Sequence, residues 1–300
     1  MKVLISAHTL DYSGVPTYTF TLYNELKKRG HDVYVYSPNG GPFEKEMITF
    51  KSMKGVKTPD VFIGQCRDCT EKVAELFPSV PKIFISHGTI TVHEEPPSAN
   101  IDYYVAVNET VVGNLVRLGV EGRNIALIRD FIDTDEFSPR TPVSSKLSSV
   151  LYISNRRKGR AYMAVMQACR RLGVRFNAIG APHGSVRQVS DAINEVDLVV
   201  SIGRGILEGM ACGRAVISFD RSVVDGCTCG DGYLTRKAYE QSKHENFTGR
   251  TSGRVMNTLD MINEMERYVA GDGLINRSLA VDHHDVRKGV DSLLSIVKKL

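Results

Sequence analysis

Short apolar runs alternate along the chain with segments in which apolar residues recur at helical spacing. The first run covers residues 2–6, and a helix predicted over residues 17–29 follows it, with Gly30 as its stop signal. A β-branched and aromatic run at residues 32–36 completes a β-α-β unit. Further strands are predicted at residues 61–63, 82–85, 103–107 and 125–128, and further helices at residues 70–77 and 109–118. Strands that alternate with helices predict a parallel sheet covered on both faces.

A segment rich in proline and serine interrupts this alternation at residues 138–145 and is typical of a linker. Beyond it, strands are predicted at residues 150–153, 175–179, 197–201 and 215–219, and helices at residues 161–172, 186–194 and 206–212. Residues 220–253 are predicted as loops, and residues 257–268 and 284–300 as helices. The sequence therefore predicts an α/β protein with two Rossmann-like domains, 1–143 and 144–283. A C-terminal helix at residues 284–300 is expected to pack back on the first domain.

Composition agrees with two domains and narrows the class of protein. The chain has 300 residues, 42% of them hydrophobic, and a typical domain has about 150 residues. Lys and Arg (38) barely exceed Asp and Glu (34), and the net charge of +4 is too small to favour nucleic-acid binding. No apolar stretch reaches the ~20 residues of a membrane helix, and the N-terminus lacks the layout of a signal peptide. We expect a cytoplasmic protein, with the basic residues 27–29 either solvated or in contact with an anionic membrane surface.

The cysteines include two close pairs, Cys66 with Cys69 and Cys227 with Cys229. Four thiolates could hold zinc if the two segments met, but the second pair has a single intervening residue and no zinc-ribbon spacing. Reduced cysteines in a cytosolic compartment are therefore favoured over a zinc site or a functional disulfide. No metal site is expected.

Ligands of doubly wound sheets bind outside the carboxyl ends of the strands, where loops lead into helix N-termini. Three predicted loops of this kind carry suitable residues. In the first loop, Gly14 would let the backbone approach a phosphate at the start of the first helix. The alternative is an ordinary strand-to-helix turn.

The second loop is basic, with Arg156, Arg157, Lys158 and Arg160 between a predicted strand and a predicted helix. Such cations can neutralise a diphosphate and stabilise it as a leaving group. The guanidinium fork matches phosphate oxygens, whereas lysine supplies a compact charge. The alternative is a solvated basic turn.

The third loop contains Gly203 and Gly205, which allow a tight turn and expose amides at the start of a helix. Glu208 follows near the end of the first turn of that helix, where its carboxylate can accept hydrogen bonds from ribose hydroxyls. The alternative is a glutamate that caps the helix.

Several segments, in order along nearly the whole chain, resemble the retaining glycosyltransferases of GT-B architecture, which include sucrose, mannosyl and glucosyl transferases. Residues 208–217 (EGMACGRAVI) are similar to the family's EAMACGxPVI segment and carry the most specific signal. Residues 26–33 (LKKRGHDV), the pair His87-Gly88 and the pair Lys158-Gly159 are similar to its RGHEV, HG and KG segments. The resemblance implies two Rossmann-like domains whose parallel sheets face each other across a cleft, the first domain for the acceptor and the second for the donor.

The resemblance also implies roles for the matching residues. His87, Arg156 and Lys158 are expected to act in catalysis, and Glu208 is expected to bind the nucleotide ribose. The remaining donor contacts are expected from Gly14, Arg157, Gly203, Arg204, Gly205, Ile206 and Leu207. The implied activity moves a sugar, expected to be a hexose, from a nucleotide diphosphate sugar to an acceptor hydroxyl with retained configuration. No metal ion or further cofactor is expected. The donor could carry either a uridine or a guanosine nucleotide.

The chain departs from the family pattern at the donor site. Val200 stands where the family has the first of two glutamates, and Asp130 stands where it has an asparagine. A non-catalytic relative that binds a nucleotide sugar is therefore an alternative, and a sugar-nucleotide epimerase is another. An oxidoreductase is disfavoured because no G-x-G-x-x-G follows the first strand. The acceptor stays open among a saccharide, a lipid, a protein, a small molecule and a modified nucleic acid, and no oligomeric state is predicted.

Overall fold

The computed structural model describes residues 1–156, 158–181, 183–184, 188–221 and 228–300. The contacts among these residues divide the chain into two compact units. Unit 1 consists of Met1–Phe131 together with Val286–Leu300, and unit 2 consists of Ile132–Asp285. The chain therefore passes from unit 1 into unit 2 and back again.

The elements alternate along the chain as parallel α/β folds require. The strands are β1 (Lys2–Ser6), β2 (Asp32–Tyr36), β3 (Thr49–Phe50), β4 (Val61–Gly64), β5 (Lys82–Ser86), β6 (Tyr103–Ala106), β7 (Ile125–Leu127), β8 (Ser149–Ile153), β9 (Arg175–Ile179), β10 (Leu198–Ser201), β11 (Ala215–Arg221) and β12 (Thr228–Tyr233). The α-helices are α1 (Gly14–Lys28), α2 (Arg67–Leu76), α3 (Glu109–Arg117), α4 (Arg160–Leu172), α5 (Val189–Asn194), α6 (Arg204–Ala211), α7 (Arg236–Ser242), α8 (Thr258–Glu266), α9 (Asp272–His284) and α10 (Val286–Val297). Short 3₁₀ helices lie at Pro42–Lys45, Val92–Glu94, Gly122–Asn124 and Lys243–Glu245.

The sheet of unit 1 has seven parallel strands in the order β3-β2-β1-β4-β5-β6-β7. Its central strands are buried apolar runs because helices cover both faces of such a sheet. The last helix, α10, contacts α1, and its residues Val290 and Leu293 are buried in the core of unit 1. Arg29 at the end of α1 donates to the Asp291 carboxylate of α10 at 2.5 Å, so this part of the basic helix end is engaged inside unit 1.

The sheet of unit 2 has five strands in the order β12-β11-β10-β8-β9. Four of them are parallel, as predicted, and the edge strand β12 is antiparallel to β11, so this sheet is mostly parallel. The prediction of loops throughout residues 220–253 is wrong, because β12 and α7 lie there. Strand β12 contains Gly230 and Gly232, which have low strand propensity. Its pairing with β11 outweighs that local preference.

The segment predicted as an interdomain linker, residues 138–145, belongs to unit 2. Buried Arg214 donates to the carbonyl and the hydroxyl oxygens of Thr141, at 3.0 and 2.7 Å. The Ser144 amide donates to the Asp197 carboxylate at 2.8 Å. Proline and serine therefore indicate an irregular backbone here, but buried hydrogen bonds tie that backbone to the unit that follows.

The C-terminal region holds two helices where the sequence predicted one. Helix α9 ends at His284, the backbone is extended at Asp285 (φ −69°, ψ 129°), and α10 starts at the next residue. Sequence periodicity missed α9 because Leu274 and Ile275 are exposed, which weakens its apolar stripe. Within the described ranges, no helix has the length and apolarity needed to cross a bilayer.

Candidate functional site

Three neighbouring strands of unit 2 end at the same edge of the sheet. Strand β8 pairs in parallel with β10, and β10 pairs in parallel with β11. The Ser201 hydroxyl at the end of β10 donates to the carbonyl oxygen of Ile153 at the end of β8, at 2.9 Å. The basic turn after β8 and the glycine turn after β10 are therefore neighbours at the carboxyl edge, where ligands of such sheets bind.

Arg156 in the basic turn is held by a buried carboxylate. Its Nη1 donates to Asp220 Oδ2 at 2.5 Å, and the Asp220 side chain is 1% exposed. Asp220 also accepts hydrogen bonds from the Tyr152 hydroxyl at 2.6 Å and from the Ser154 hydroxyl at 2.9 Å. Burial and the charge of Asp220 raise the pKa of Tyr152, which therefore stays a hydrogen-bond donor. The buried Nε of Arg156 has no hydrogen-bond partner among the described residues, so this cation can still bind a ligand.

Lys158 lies beside two stacked rings. Its Nζ is 5.6 Å from the centroid of the Tyr162 ring, and the His183 ring stacks on the same tyrosine with a centroid distance of 5.0 Å. Burial and the charge of Lys158 lower the pKa of His183, which keeps the imidazole neutral at pH 7. Arg157, the other predicted phosphate ligand of this turn, lies outside the described residues. The basic turn thus contributes two described cations with different partners, a carboxylate and an aromatic ring.

The glycine turn brings the start of α6 close to the end of β8. Gly203 precedes the helix with φ 57°, a conformation that L side chains rarely adopt, and its amide donates to Phe247 O at 2.8 Å. A Cβ on Gly205 would lie 2.2 Å from the Ser201 hydroxyl oxygen. The side chains of Ile206 and Leu207 are fully buried, so these residues can offer a ligand only their backbone.

Glu208, the predicted ribose ligand, pairs with another predicted donor residue. Its Oε1 accepts from Arg204 Nε at 3.1 Å, and both side chains are less than a tenth exposed. The helix starts at Arg204 rather than at residue 206, so the two residues are four apart on one face of α6. A ribose hydroxyl that bound Glu208 would therefore meet a carboxylate already held by a guanidinium.

In unit 1, Gly14 and His87 follow two other strand ends. Gly14 is the first residue of α1, which starts earlier than the predicted residue 17, and a Cβ there would meet no atom within 4 Å. His87 follows β5, its Nε2 is 2.9 Å from Gln65 Oε1, and its ring lies edge-on to Tyr18 of α1, 4.7 Å between centroids. The amide of Gln65 donates in turn to Thr19 at 2.8 Å. Helix α1 therefore orients the His87 ring both directly and through Gln65.

The structure divides the predicted site residues between the two units. Gly14 and His87 belong to unit 1, whereas Arg156, Lys158 and residues 203–208 belong to unit 2 and share one sheet edge. Sequence reasoning missed Gln65, Asp220 and His183. The available signal was positional, because each of these polar residues lies at or just after the carboxyl end of a strand.

Comparison with known proteins shows a likeness of fold. No protein-family model matches the chain, and no curated protein matches it. Among solved structures, it is similar to Anabaena Alr3699/HepE in complex with UDP-glucose, with a TM-score of 0.71, 12% identity and full coverage of both chains.

Two further solved structures show the same likeness. A glycosyltransferase from Rickettsia africae ESF-5 has a TM-score of 0.67 and 16% identity over 99% of this chain and 98% of that one. An alpha-glucosyltransferase, solved with UDP and a 13-mer DNA containing a HMU base, has a TM-score of 0.58 and 12% identity over 99% of each chain. The chain has the α/β fold of GT-B glycosyltransferases, with two Rossmann-like domains.

Proposed function

We propose that this protein is a glycosyltransferase that moves a sugar from a nucleotide diphosphate sugar to an acceptor hydroxyl. The observation that carries the proposal is the arrangement in unit 2, where the basic turn after β8 and the glycine turn before α6 lie at neighbouring strand ends. A diphosphate at this edge would meet Arg156 and Lys158 on one side and the amides at the start of α6 on the other.

These groups would act mainly on the leaving diphosphate. Negative charge develops on the diphosphate as the bond to the sugar breaks, and fixed cations and amides lower the barrier most when they are already oriented toward that charge. The buried Asp220 holds Arg156 in place, so little reorganisation is needed during the reaction. Retention of configuration follows if the acceptor hydroxyl approaches from the face that the diphosphate leaves.

The solved structures support a uridine nucleotide and a hexose as the first donor to test. Alr3699/HepE was solved with UDP-glucose, and the alpha-glucosyltransferase with UDP. That second structure also holds DNA, which is one of the acceptor classes left open here. We propose a cytoplasmic location and a reaction that needs no metal ion, so added Mg²⁺ or Mn²⁺ is expected to leave the rate unchanged.

A donor panel tests the proposal. The protein would be incubated with uridine, guanosine and adenosine diphosphate sugars, and release of the nucleotide and the fate of the sugar would be measured. Nucleotide release that depends on Arg156, Lys158 and Glu208 supports transfer, or hydrolysis of the donor when no acceptor is present. A changed sugar without nucleotide release would instead identify an epimerase, and full activity in the Arg156→Ala, Lys158→Ala and Glu208→Ala variants would refute the site.

A nucleotide-sugar-binding protein without turnover is the second candidate. It is favoured by Val200, which offers no carboxylate, and by the Arg204 guanidinium on Glu208. Thermal-shift screening with the same donor panel separates the two candidates, because a ligand that binds the folded state raises its melting temperature whether or not it reacts. Binding without release of nucleotide, in the presence of a broad mixture of acceptors, would favour this candidate.

A further inference from the structure

Two thiols and an imidazole from separate loops meet at the carboxyl edge of the unit 1 sheet. His8 follows β1, while Cys66 and Cys69 lie at the start of α2, directly after β4, and β1 and β4 are adjacent strands. One nitrogen of His8 and the two sulfurs lie within 4.8 Å of one another. We propose that His8, Cys66 and Cys69 bind a thiophilic divalent cation such as Zn²⁺.

The distances and charges fit such an ion. Zinc binds sulfur at about 2.3 Å and nitrogen at about 2.0 Å in a tetrahedron, so its ligand atoms lie about 3.5 Å apart. Atoms that lie within 4.8 Å of one another need to approach by little more than about 1 Å at most, which rotation of the side chains can supply. Cys66 is 3% and Cys69 2% exposed. Two thiolates and a neutral imidazole would balance the charge of a divalent cation, so the site buries no net charge.

The surroundings of His8 also fit a metal ligand. Its Nδ1 is buried without a hydrogen-bond partner among the described residues, while its Nε2 is 3.1 Å from the side-chain amide of Asn39. Nδ1 binds a metal in the tautomer that carries the proton on Nε2. Asn39 Nδ2 now donates to the His8 carbonyl oxygen at 3.1 Å, so metal binding requires the Asn39 amide to turn and exchange that hydrogen bond for one that its oxygen accepts from Nε2. Asn39 would thus position His8 for the ion.

A second histidine and a carboxylate lie next to His8. The His93 ring stacks on His8 with 4.7 Å between centroids, and His93 Nδ1 is 3.3 Å from the Asp68 carboxylate. A carboxylate that accepts from one nitrogen of a histidine orients the other nitrogen toward a metal. One ligand atom each of His8, Asp68 and His93 also lie within 4.8 Å of one another, so this second group overlaps the first at His8.

A redox dithiol is the main rival for the Cys66 and Cys69 pair, since two cysteines separated by two residues at a helix N-terminus also suit disulfide exchange. Exchange needs an accessible sulfur, and both cysteines are almost fully buried. His8 adds a nitrogen ligand that disulfide chemistry does not require. These two features favour the metal. The zinc site considered from the sequence joined this pair to Cys227, which lies outside the described residues, and to Cys229, whereas the site proposed here needs neither of them.

The test measures metal content and coordination in the full chain. Protein purified with a reductant from zinc-supplemented medium should hold stoichiometric zinc. Metal-free protein titrated with Co²⁺ should develop thiolate-to-cobalt charge-transfer absorption. The variants Cys66→Ser, Cys69→Ser and His8→Ala should lose the metal, whereas Cys169→Ser, a buried cysteine of α4 in unit 2, should keep it. Asn39→Ala should lower metal affinity by about 10- to 100-fold, as loss of a partner that orients a ligand does.

The wild-type titration keeps the proposal falsifiable if a variant fails to fold. No charge-transfer absorption in folded wild-type protein would overturn it. Metal that persists in folded Cys66→Ser and Cys69→Ser variants would overturn it as well. A disulfide between Cys66 and Cys69 in protein purified without reductant, together with no metal binding after reduction, would assign the pair to redox chemistry instead. None of these outcomes depends on a sugar donor, so they are independent of the proposed transferase activity.

Discussion

The glycines at the N-terminal ends of α1 and α6 have very different surroundings. In unit 1, a side chain on Gly14 would meet no atom within 4 Å. In unit 2, Gly203 has a positive φ, and a side chain on Gly205 would collide with Ser201. The backbone of unit 2 therefore requires its glycines whether or not a ligand binds. Gly14 has no such requirement from packing, so a loss of function on its replacement would report directly on a ligand.

The immediate surroundings of the predicted site residues also differ in charge between the two units. At the edge of unit 2, Asp220 and Glu208 each hold an arginine, and Lys158 lies over an aromatic ring. At the edge of unit 1, the polar residues that orient His87 are the neutral Gln65 and Tyr18. Fixed cations suit a diphosphate, whereas neutral hydrogen-bonding groups suit sugar hydroxyls. The difference fits the expected binding of a diphosphate at the edge of unit 2, here called the phosphate edge, and of sugar hydroxyls near His87 at the edge of unit 1, here called the sugar edge.

The largest expected effect comes from removing a cation at the phosphate edge. Lys158→Ala should lower kcat/KM for the donor by about 100- to 1,000-fold, as loss of one group that stabilises developing charge does. Steady-state kinetics with the best donor of the panel would measure it. Lys146→Ala, an exposed lysine in the same unit, is the matched control and should keep wild-type kinetics. Equal kcat/KM in the two variants would contradict a role for the charge of Lys158 in binding the diphosphate.

A change at the opposite edge of the unit 2 sheet should alter stability without altering chemistry. Asp197 accepts hydrogen bonds from the Ser144 amide and from the amides and hydroxyls of Ser148 and Ser149. Asp197→Ala leaves these donors without their acceptor and should lower the free energy of unfolding by about 3 kcal/mol. Urea unfolding would measure the loss, and kcat/KM of the folded variant should be unchanged. A large loss of kcat/KM would show that the two edges are coupled.

The same carboxylate sets a dependence on pH. Burial alone would raise the pKa of Asp197, but hydrogen bonds from Ser144, Ser148 and Ser149 outweigh it and lower the pKa to about 2. Because the unfolded value is about 3.9, this contribution to stability is complete above about pH 4 and is lost as the pH falls toward 2. Asp197→Asn should make the free energy of unfolding less dependent on pH between about pH 4 and 2. An unchanged slope would contradict the lowered pKa.

Alanine at the two contrasting glycines gives a smaller and more selective effect. Gly205→Ala should cost about 1 to 3 kcal/mol of stability, because the added methyl group overlaps the Ser201 side chain. Gly14→Ala should leave stability unchanged or raise it slightly, since its site is open and alanine favours the helix. Thermal unfolding of both variants would test the difference. Similar losses in the two would show that packing limits both positions.

The smallest expected effect is at the sugar edge. His87→Ala should lower kcat by roughly tenfold, because the loss of one hydrogen bond costs about that factor. The affinity for free nucleotide diphosphate should be unchanged. Turnover assays and nucleotide titration would separate the two quantities. His31→Ala, which lies at the opposite end of the unit 1 strands, serves as control. Weaker nucleotide binding in His87→Ala would assign this histidine to the phosphates instead.

Local sequence pattern predicted the parallel core well. Strands β1 and β2 coincide with the predicted runs, because a buried parallel strand is a continuous apolar segment bounded by turn residues. The pattern failed at β12 and α9. Strand β12 contains Gly230 and Gly232, which have low strand propensity, and α9 exposes Leu274 and Ile275. Both elements depend on packing against neighbouring elements, which residue propensity and periodicity do not encode.

The candidate site was predictable only in part. Resemblance and position indicated Arg156, Lys158 and Glu208, since their types and spacing suit phosphate and ribose. The ion-pair partners of these residues were not predictable. The partner of Arg156, for example, is Asp220, which is 64 residues away in the sequence. The pairing of Glu208 with Arg204 depended on the residue at which α6 begins. A change of two residues in the start of a helix decides which side chains are neighbours.

The return of the chain to unit 1 bears on how the protein is made. Val286, Val290, Leu293 and Ile296 of α10 complete a core whose other buried members lie in the first 131 residues. During synthesis on a ribosome, part of the apolar surface of unit 1 stays uncovered until α10 emerges. The sequence of unit 2 is already complete at that point. A chain that stopped at Asp285 would therefore contain all of unit 2 but leave the core of unit 1 incomplete.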